Sequence, residues 1–223
     1  MNHLVIREAK IIDPNNSLHN QVVDILIAED TIEKIGKNLQ VPKNTKELKF
    51  ENLHVSKGWF DTSVSFGEPG FEERETIANG MRVAAKSGFT GVALQPNSAP
   101  VVDNQSQVTF VLDRSMDAAI DLFPIGALTK NSEGADMAEL FDMQNAGAIA
   151  FGDYNKNITN ANVLKIALQY VQDFDGLIIT YCQDEKIKGN GVANEGVAST
   201  RLGLKGIPAL AEELMVARNL FLL

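Results

Sequence analysis

The chain has 223 residues, 44% of them apolar and 22% charged, with a formal net charge of −9. This is globular composition, with room for one large domain or two small ones. The acidic balance argues against nucleic acid or an anionic membrane as the main partner, and no stretch reaches the ~18–20 apolar residues of a membrane span.

One cysteine, Cys182, excludes an intrachain disulfide framework and fits a reducing compartment. The opening MNHLVIREAK has no apolar core behind a basic start, so no signal peptide is read. A soluble cytoplasmic protein is expected.

Residues 4–6, 9–12, 22–28, 31–35 and 48–55 read as short strands, with turn signals at Pro14-Asn15-Asn16 and Asp30. Residues 1–55 are therefore expected to form a small all-β unit. From residue 56 the rhythm changes to alternating strand and helix. Strands are predicted at 59–66, 89–94, 119–128, 148–151 and 177–181. Helices are predicted at 72–86, 105–116, 137–145, 160–174 and 208–223, with Gly88 and Gly147 as C-cap glycines. Residues 185–205 are polar and glycine-rich and read as a long loop. Five strands alternating with helices indicate a parallel α/β sheet over 56–223, either open or part of a barrel.

In such sheets the site lies beyond the C-terminal strand ends. The relevant loops are Ser63-Val64-Ser65-Phe66-Gly67-Glu68-Pro69-Gly70, Gln95-Pro96-Asn97-Ser98-Ala99-Pro100, Phe151-Gly152-Asp153-Tyr154 and Tyr181-Cys182-Gln183-Asp184-Glu185. Cys182 reads as a small buried residue rather than a nucleophile, having no histidine near it in sequence. Asp184 and Glu185 form either an acid–base pair or a solvated strand end. Gly189, Gly191 and Gly196 lack the lysine and the strand-to-helix context of a phosphate loop. Asp153 reads equally as a turn cap and as a site residue, and Asn97 as a loop-geometry residue or a ligand contact.

Several separated motifs resemble the dihydroorotase family of amidohydrolases. Glu68-Pro69-Gly70, Glu75-Thr76, Gly88-Phe89-Thr90 and Pro96-Asn97-Ser98-Ala99-Pro100 match its signature in order. Asn194-Glu195-Gly196, Leu202 to Pro208 and Ala211-Glu212 match its later loop and helix. The resemblance runs from about residue 4 to the last residue. It implies a (β/α)8 TIM-type barrel, with about five βα units present in 56–223, beside a small β-sandwich to which 1–55 contributes. It also implies a chain that is a piece of a longer barrel protein or pairs with another chain.

The resemblance further implies a zinc site built from a His-x-His pair, a strand-four carboxylate or carboxylated lysine, and a strand-five histidine. Here the paired positions hold Ser63 and Ser65, and the strand-five position holds Tyr181. The family's substrate-carboxylate arginine falls on Gly67. Asp153 matches the metal carboxylate and Asn97 a substrate-contacting asparagine. A serine hydroxyl is a poor zinc ligand, and the only histidines, His3, His19 and His54, precede the α/β region.

The expectation is therefore a catalytically inactive homologue without a metal cofactor. Its role in pyrimidine biosynthesis would be structural or regulatory, through aspartate transcarbamoylase or as a homo-oligomer. The alternative is an active, zinc-dependent cyclic amidohydrolase with a reduced metal site around Asp153.

Overall fold

A computed structural model describes residues 3–223. The chain divides into two compact units between Gly58 and Trp59, three residues beyond the 55/56 boundary expected from sequence.

The first unit is one mixed sheet. Its strands are β1 (His3–Ile12), β2 (Val22–Ala28), β3 (Thr31–Gly36), β4 (Lys46–Lys49) and β5 (His54–Ser56). The order is β3-β2-β1-β4, with β5 also paired to β1. The stretches 4–6 and 9–12, expected as two strands, are one strand with a register shift between Ile6 and Ala9. Glu8 sits in that irregularity with φ 53°, and its N–H donates to Asp24 Oδ1 at 3.1 Å. Among the described residues the strands of this unit all belong to one sheet. β4 and β5 run parallel to β1 along its free edge instead of starting another sheet.

Asp24 organises this sheet. It accepts from Arg7 at 2.8 Å and from Leu39 N at 3.1 Å, besides Glu8. Burial pushes its carboxyl up, but the hydrogen bonds from Glu8, Arg7 and Leu39 win and hold it below the usual aspartate range.

The second unit carries a parallel sheet in the order β6-β7-β8-β9. Its elements are β6 (Trp59–Val64), α1 (Ile77–Lys86), β7 (Phe89–Leu94), α2 (Gln105–Ser115), β8 (Asp121–Gly126), α3 (Leu140–Ala146), β9 (Ala150–Phe151) and α4 (Ala161–Tyr170). They continue with α5 (Glu185–Lys188), β10 (Ala193–Asn194), α6 (Val197–Arg201), β11 (Gly206–Ile207) and α7 (Leu210–Leu222).

Alternation sorts the strand residues onto two faces. Val92, Leu94 and Leu122 pack with Ile77, Met81, Val108, Val111, Leu140, Met143 and Leu164 of the helices. Ala93, Ile125 and Ala150 form a separate cluster. Each fully buried Leu, Ile or Met side chain contributes roughly 1.5–3 kcal/mol.

Several expected boundaries move, each for a local reason. The first helix starts at Ile77 instead of 72, because the Thr76 side chain accepts from Asn79 N as an N-cap. The third starts at Leu140 instead of 137, because Ala138 N bonds Leu128 O and Met137 bridges Thr129. The helix expected over 160–174 is α-helical only to Tyr170 and ends in a 3-10 turn over Val171–Phe174. The fifth strand reduces to a single bridge between Phe151 and Ile178, since β9 offers only two residues to pair with. The loop expected over 185–205 is partly ordered: Asp184 caps α5 by accepting from Lys186 N and Ile187 N, and β10 pairs with β11. Among the described residues no helix is long and apolar enough to cross a membrane.

Candidate functional site at the strand ends

The C-terminal ends of β6 and β7 are joined by side chains. Asp61 Oδ1 accepts from Ser63 N at 2.9 Å, and Gln95 N extends the pairing by donating to Val64 O at 2.9 Å. Gln95 Nε2 donates to Ser63 Oγ at 3.2 Å, and Asn97 Nδ2 donates to Ser65 Oγ at 2.8 Å. Each pair is separated by two residues on its own segment, so two carboxamides meet two hydroxyls in step. Ser63 and Ser65 are exposed and Gln95 is buried. Asn97 Oδ1 is buried without a hydrogen-bond partner.

Gly67 is closed to any side chain. A Cβ there would lie 1.8 Å from Phe71 O. The turn that puts it there is held by Phe71 N donating to Gly67 O and Gly67 N donating to Glu75 O, both at 2.8 Å. The next residues lock the first loop to the second. Ala99 N donates to Pro69 O at 2.9 Å. A Cβ on Gly70, whose φ is +94°, would meet Ala99 O at 2.2 Å. Glu68 accepts from Ile77 N at 2.9 Å and pairs with Arg114 at 3.2 Å.

Asp153 follows β9 and is 4% exposed. Its Oδ1 accepts from Thr129 N at 3.0 Å, and its Oδ2 accepts from Thr129 Oγ1. The Thr129 hydroxyl in turn accepts from Gly134 N at 2.8 Å, and Lys156 Nζ donates to Ser132 O at 3.0 Å. Burial raises the Asp153 carboxyl above its ordinary range, against the lowering effect of the Thr129 contacts and Lys156. Both oxygens thus serve the 129–134 loop.

Tyr181 lies farther along, on the wall of a cavity of about 700 Å³ with Gln183, Asn194, Glu195, Pro208 and Glu212. Cys182 lines the same cavity, and its Sγ accepts from Asn219 Nδ2 at 3.3 Å and lies 3.5 Å from Thr180 Oγ1. Asp184 is occupied as a cap, and Glu185 pairs with Lys188 at 3.1 Å. His19 Nδ1 accepts from Asp13 N and His54 Nδ1 contacts Asn52 O, both within the first unit.

The structure therefore joins Ser63, Ser65 and Asn97, and sets Asp153 on its own loop. Among the described residues no hydrogen bond links Asp153 or Tyr181 to the serines, and no three or more His, Cys, Asp or Glu side chains converge to hold a metal. Two participants had no role in the sequence reading. Gln95 stands two residues before Asn97, a period-two spacing that signals a shared face. Thr129 carries no such signal, since its contact spans 24 residues.

The family model described as dihydro-orotase-like matches residues 54–223. The dihydroorotase of Pelotomaculum thermopropionicum is 40% identical over 219 residues, which cover 98% of this chain and 51% of that protein. The dihydroorotase of Citrifermentans bemidjiense is 36% identical over 221 residues, covering 99% and 52%. The chain spans about half the length of the curated relatives it matches. Among solved structures, an L-hydantoinase from Arthrobacter aurescens superposes with a TM-score of 0.77 at 16% identity, over 100% of this chain and 50% of that one. A dihydroorotase crystal structure superposes with a TM-score of 0.60 at 11% identity, over 100% and 63%. At these identities the likeness concerns the fold.

Proposed function

The chain belongs to the dihydro-orotase-like family, and on that premise we propose that it is a non-catalytic dihydroorotase homologue of pyrimidine biosynthesis, built on part of a (β/α)8 barrel. The observation that carries this reading is the fate of the metal-ligand positions. Ser63 and Ser65 are neutral hydroxyls bonded to Gln95 and Asn97. Both Asp153 oxygens accept hydrogen bonds from Thr129.

Zinc takes thiolate, imidazole and carboxylate donors, and its sites need about four of them to reach their full binding energy. The residues present do not fit it. A substrate carboxylate would find no arginine at Gly67, where the turn leaves no space for a side chain. The role that remains is structural or regulatory. Aspartate transcarbamoylase is the partner the family resemblance suggests, by analogy alone.

The test is elemental zinc content after dialysis, together with dihydroorotate hydrolysis, on the longest natural form of the protein. The expected result is zinc near zero and no turnover. One or two zinc ions per chain with turnover would overturn the reading. It would favour the second one, an active zinc-dependent cyclic amidohydrolase with a reduced site. The observation behind that alternative is the retention of a buried carboxylate, Asp153, at the end of β9.

A further inference from the structure

We infer that the excursion over 185–207 and the outer face of α7 form a self-complementary docking surface, and that its occupant is a second copy of this chain. This goes beyond the proposed function and holds whether or not the strand ends bind metal.

Main-chain hydrogen bonds hold the excursion. Val192 N donates to Lys205 O at 3.0 Å, Leu204 N donates to Ser199 O at 2.9 Å, and β10 pairs with β11. Its aliphatic side chains Val192, Val197, Leu202 and Leu204 stay exposed. α7 shows the same pattern. Its inner side buries Ala211, Met215 and Asn219. Leu210, Leu214 and Phe221 recur with Ala217 at the spacing of one outer helix face, and Leu220 is exposed beside them. The eight Val, Leu and Phe residues are 42–92% exposed. That leaves on the order of 800 Å² bare, the share each partner brings to a standard-size interface.

Charge decides which partner fits. In a chain of net charge −9, residues 185–205 carry Lys186, Lys188, Arg201 and Lys205 against only Glu185 and Glu195. Lys188 pairs with Glu185. Among the described residues Arg201 and Lys205 join no ion pair, and neither do Glu212 and Glu213 in the first turn of α7. Arg218, the cation of α7, donates to Thr159 O at 3.4 Å and to Asn219 Oδ1 at 2.8 Å. The excursion and the helix adjoin. Asp184 N donates to Ala211 O at 2.8 Å, and Asn194, Glu195, Glu212 and Val216 line one cavity. One side of the second unit thus offers an aliphatic element with free cations next to an aliphatic helix with free carboxylates. A twofold axis sets each excursion against the α7 of the other copy, which covers both elements and forms the ion pairs reciprocally. An unrelated acidic partner would match the excursion and leave α7 bare.

Sedimentation velocity of the longest natural form, over a micromolar concentration series, tests the inference. The expected result is a reversible dimer. Leu214→Ser with Phe221→Ser should raise its dissociation constant about a hundredfold, as the loss of apolar anchors does. Arg201→Glu with Lys205→Glu should raise it about tenfold, and so should Glu212→Lys with Glu213→Lys. The four charge changes combined should restore most of the parent affinity, because each reversed cation then meets a reversed carboxylate. All four charged positions are exposed, so these reversals leave the fold intact, which unchanged urea midpoints would show.

A monomer at every concentration would overturn the inference, since the face would then be covered within one chain or left to another partner. A dimer indifferent to the charge reversals, or one that the combined variant fails to restore, would overturn it as well, because the contact would lie elsewhere on the molecule.

Discussion

Replacing Asp153 by alanine isolates what that carboxylate now does. The side chain is 4% exposed, and both of its oxygens accept from Thr129, which is itself fully buried. Removing it strands the Thr129 N–H and hydroxyl. Each stranded buried donor costs about 1–3 kcal/mol, so the gross loss is about 2–6 kcal/mol.

Two effects reduce that. The carboxylate no longer has to be desolvated, a burden visible in its raised pKa. The Thr129 hydroxyl can also rotate toward another acceptor. A net destabilisation of about 3 kcal/mol is expected, which for a domain of this size lowers Tm by roughly 6–12 °C. Asp153→Asn should cost less, because its amide still offers Thr129 N an acceptor.

The assay is urea unfolding of the parent chain, Asp153→Ala, Thr129→Val and the double variant, each with and without added zinc and chelator. Because the two residues form one unit, the double variant should cost less than the sum of the singles by about 1–2 kcal/mol. The reasoning is refuted if Asp153→Ala costs under about 1 kcal/mol, or if zinc stabilises the parent chain but not the variant.

Three further outcomes are expected. Gly67→Ala should destabilise the second unit by at least about 3 kcal/mol, read as a drop in the urea midpoint, because a Cβ 1.8 Å from Phe71 O forces the 67–71 turn open. Thr76→Ala should cost about 1 kcal/mol through loss of the α1 N-cap, with Thr76→Ser restoring most of it. In the first unit, the Asp24 pKa is lower folded than unfolded. Its stabilisation is therefore complete above the ordinary aspartate value of about 3.9 and is lost as pH falls through the lowered folded value. Asp24→Asn should flatten that acid-side loss in a pH series of unfolding midpoints, and an unchanged slope would dismiss the Arg7–Asp24 account.

Elements whose ends are set by nearby residues were legible in the chain. Val22–Ala28 and Phe89–Leu94 appear at their predicted bounds, because alternation and flanking turn residues act within a few positions. Gly147 caps α3 with φ 115°, as the isolated glycine after that helix suggested. The errors fall where a distant backbone group competes. Residues 137–139 have helical pattern, but Ala138 N donates to Leu128 O and Met137 bridges Thr129. Residues 177–181 have strand pattern but find only a two-residue neighbour.

The candidate site divides in the same way. Sequence alone established which chemistry stands at the strand ends: hydroxyls at 63 and 65, a phenol at 181, glycine at 67 and one carboxylate at 153. Tertiary structure decided what those groups do to each other. The serine–amide pairs join residues 32 apart, and Asp153 meets Thr129 across 24. Such contacts depend on strand register and on how tightly each loop turns. The closure of Gly67 depends on where a carbonyl four residues on comes to rest. Residue type is a local property, whereas partnership between side chains requires the distance between them, which only the folded sheet sets.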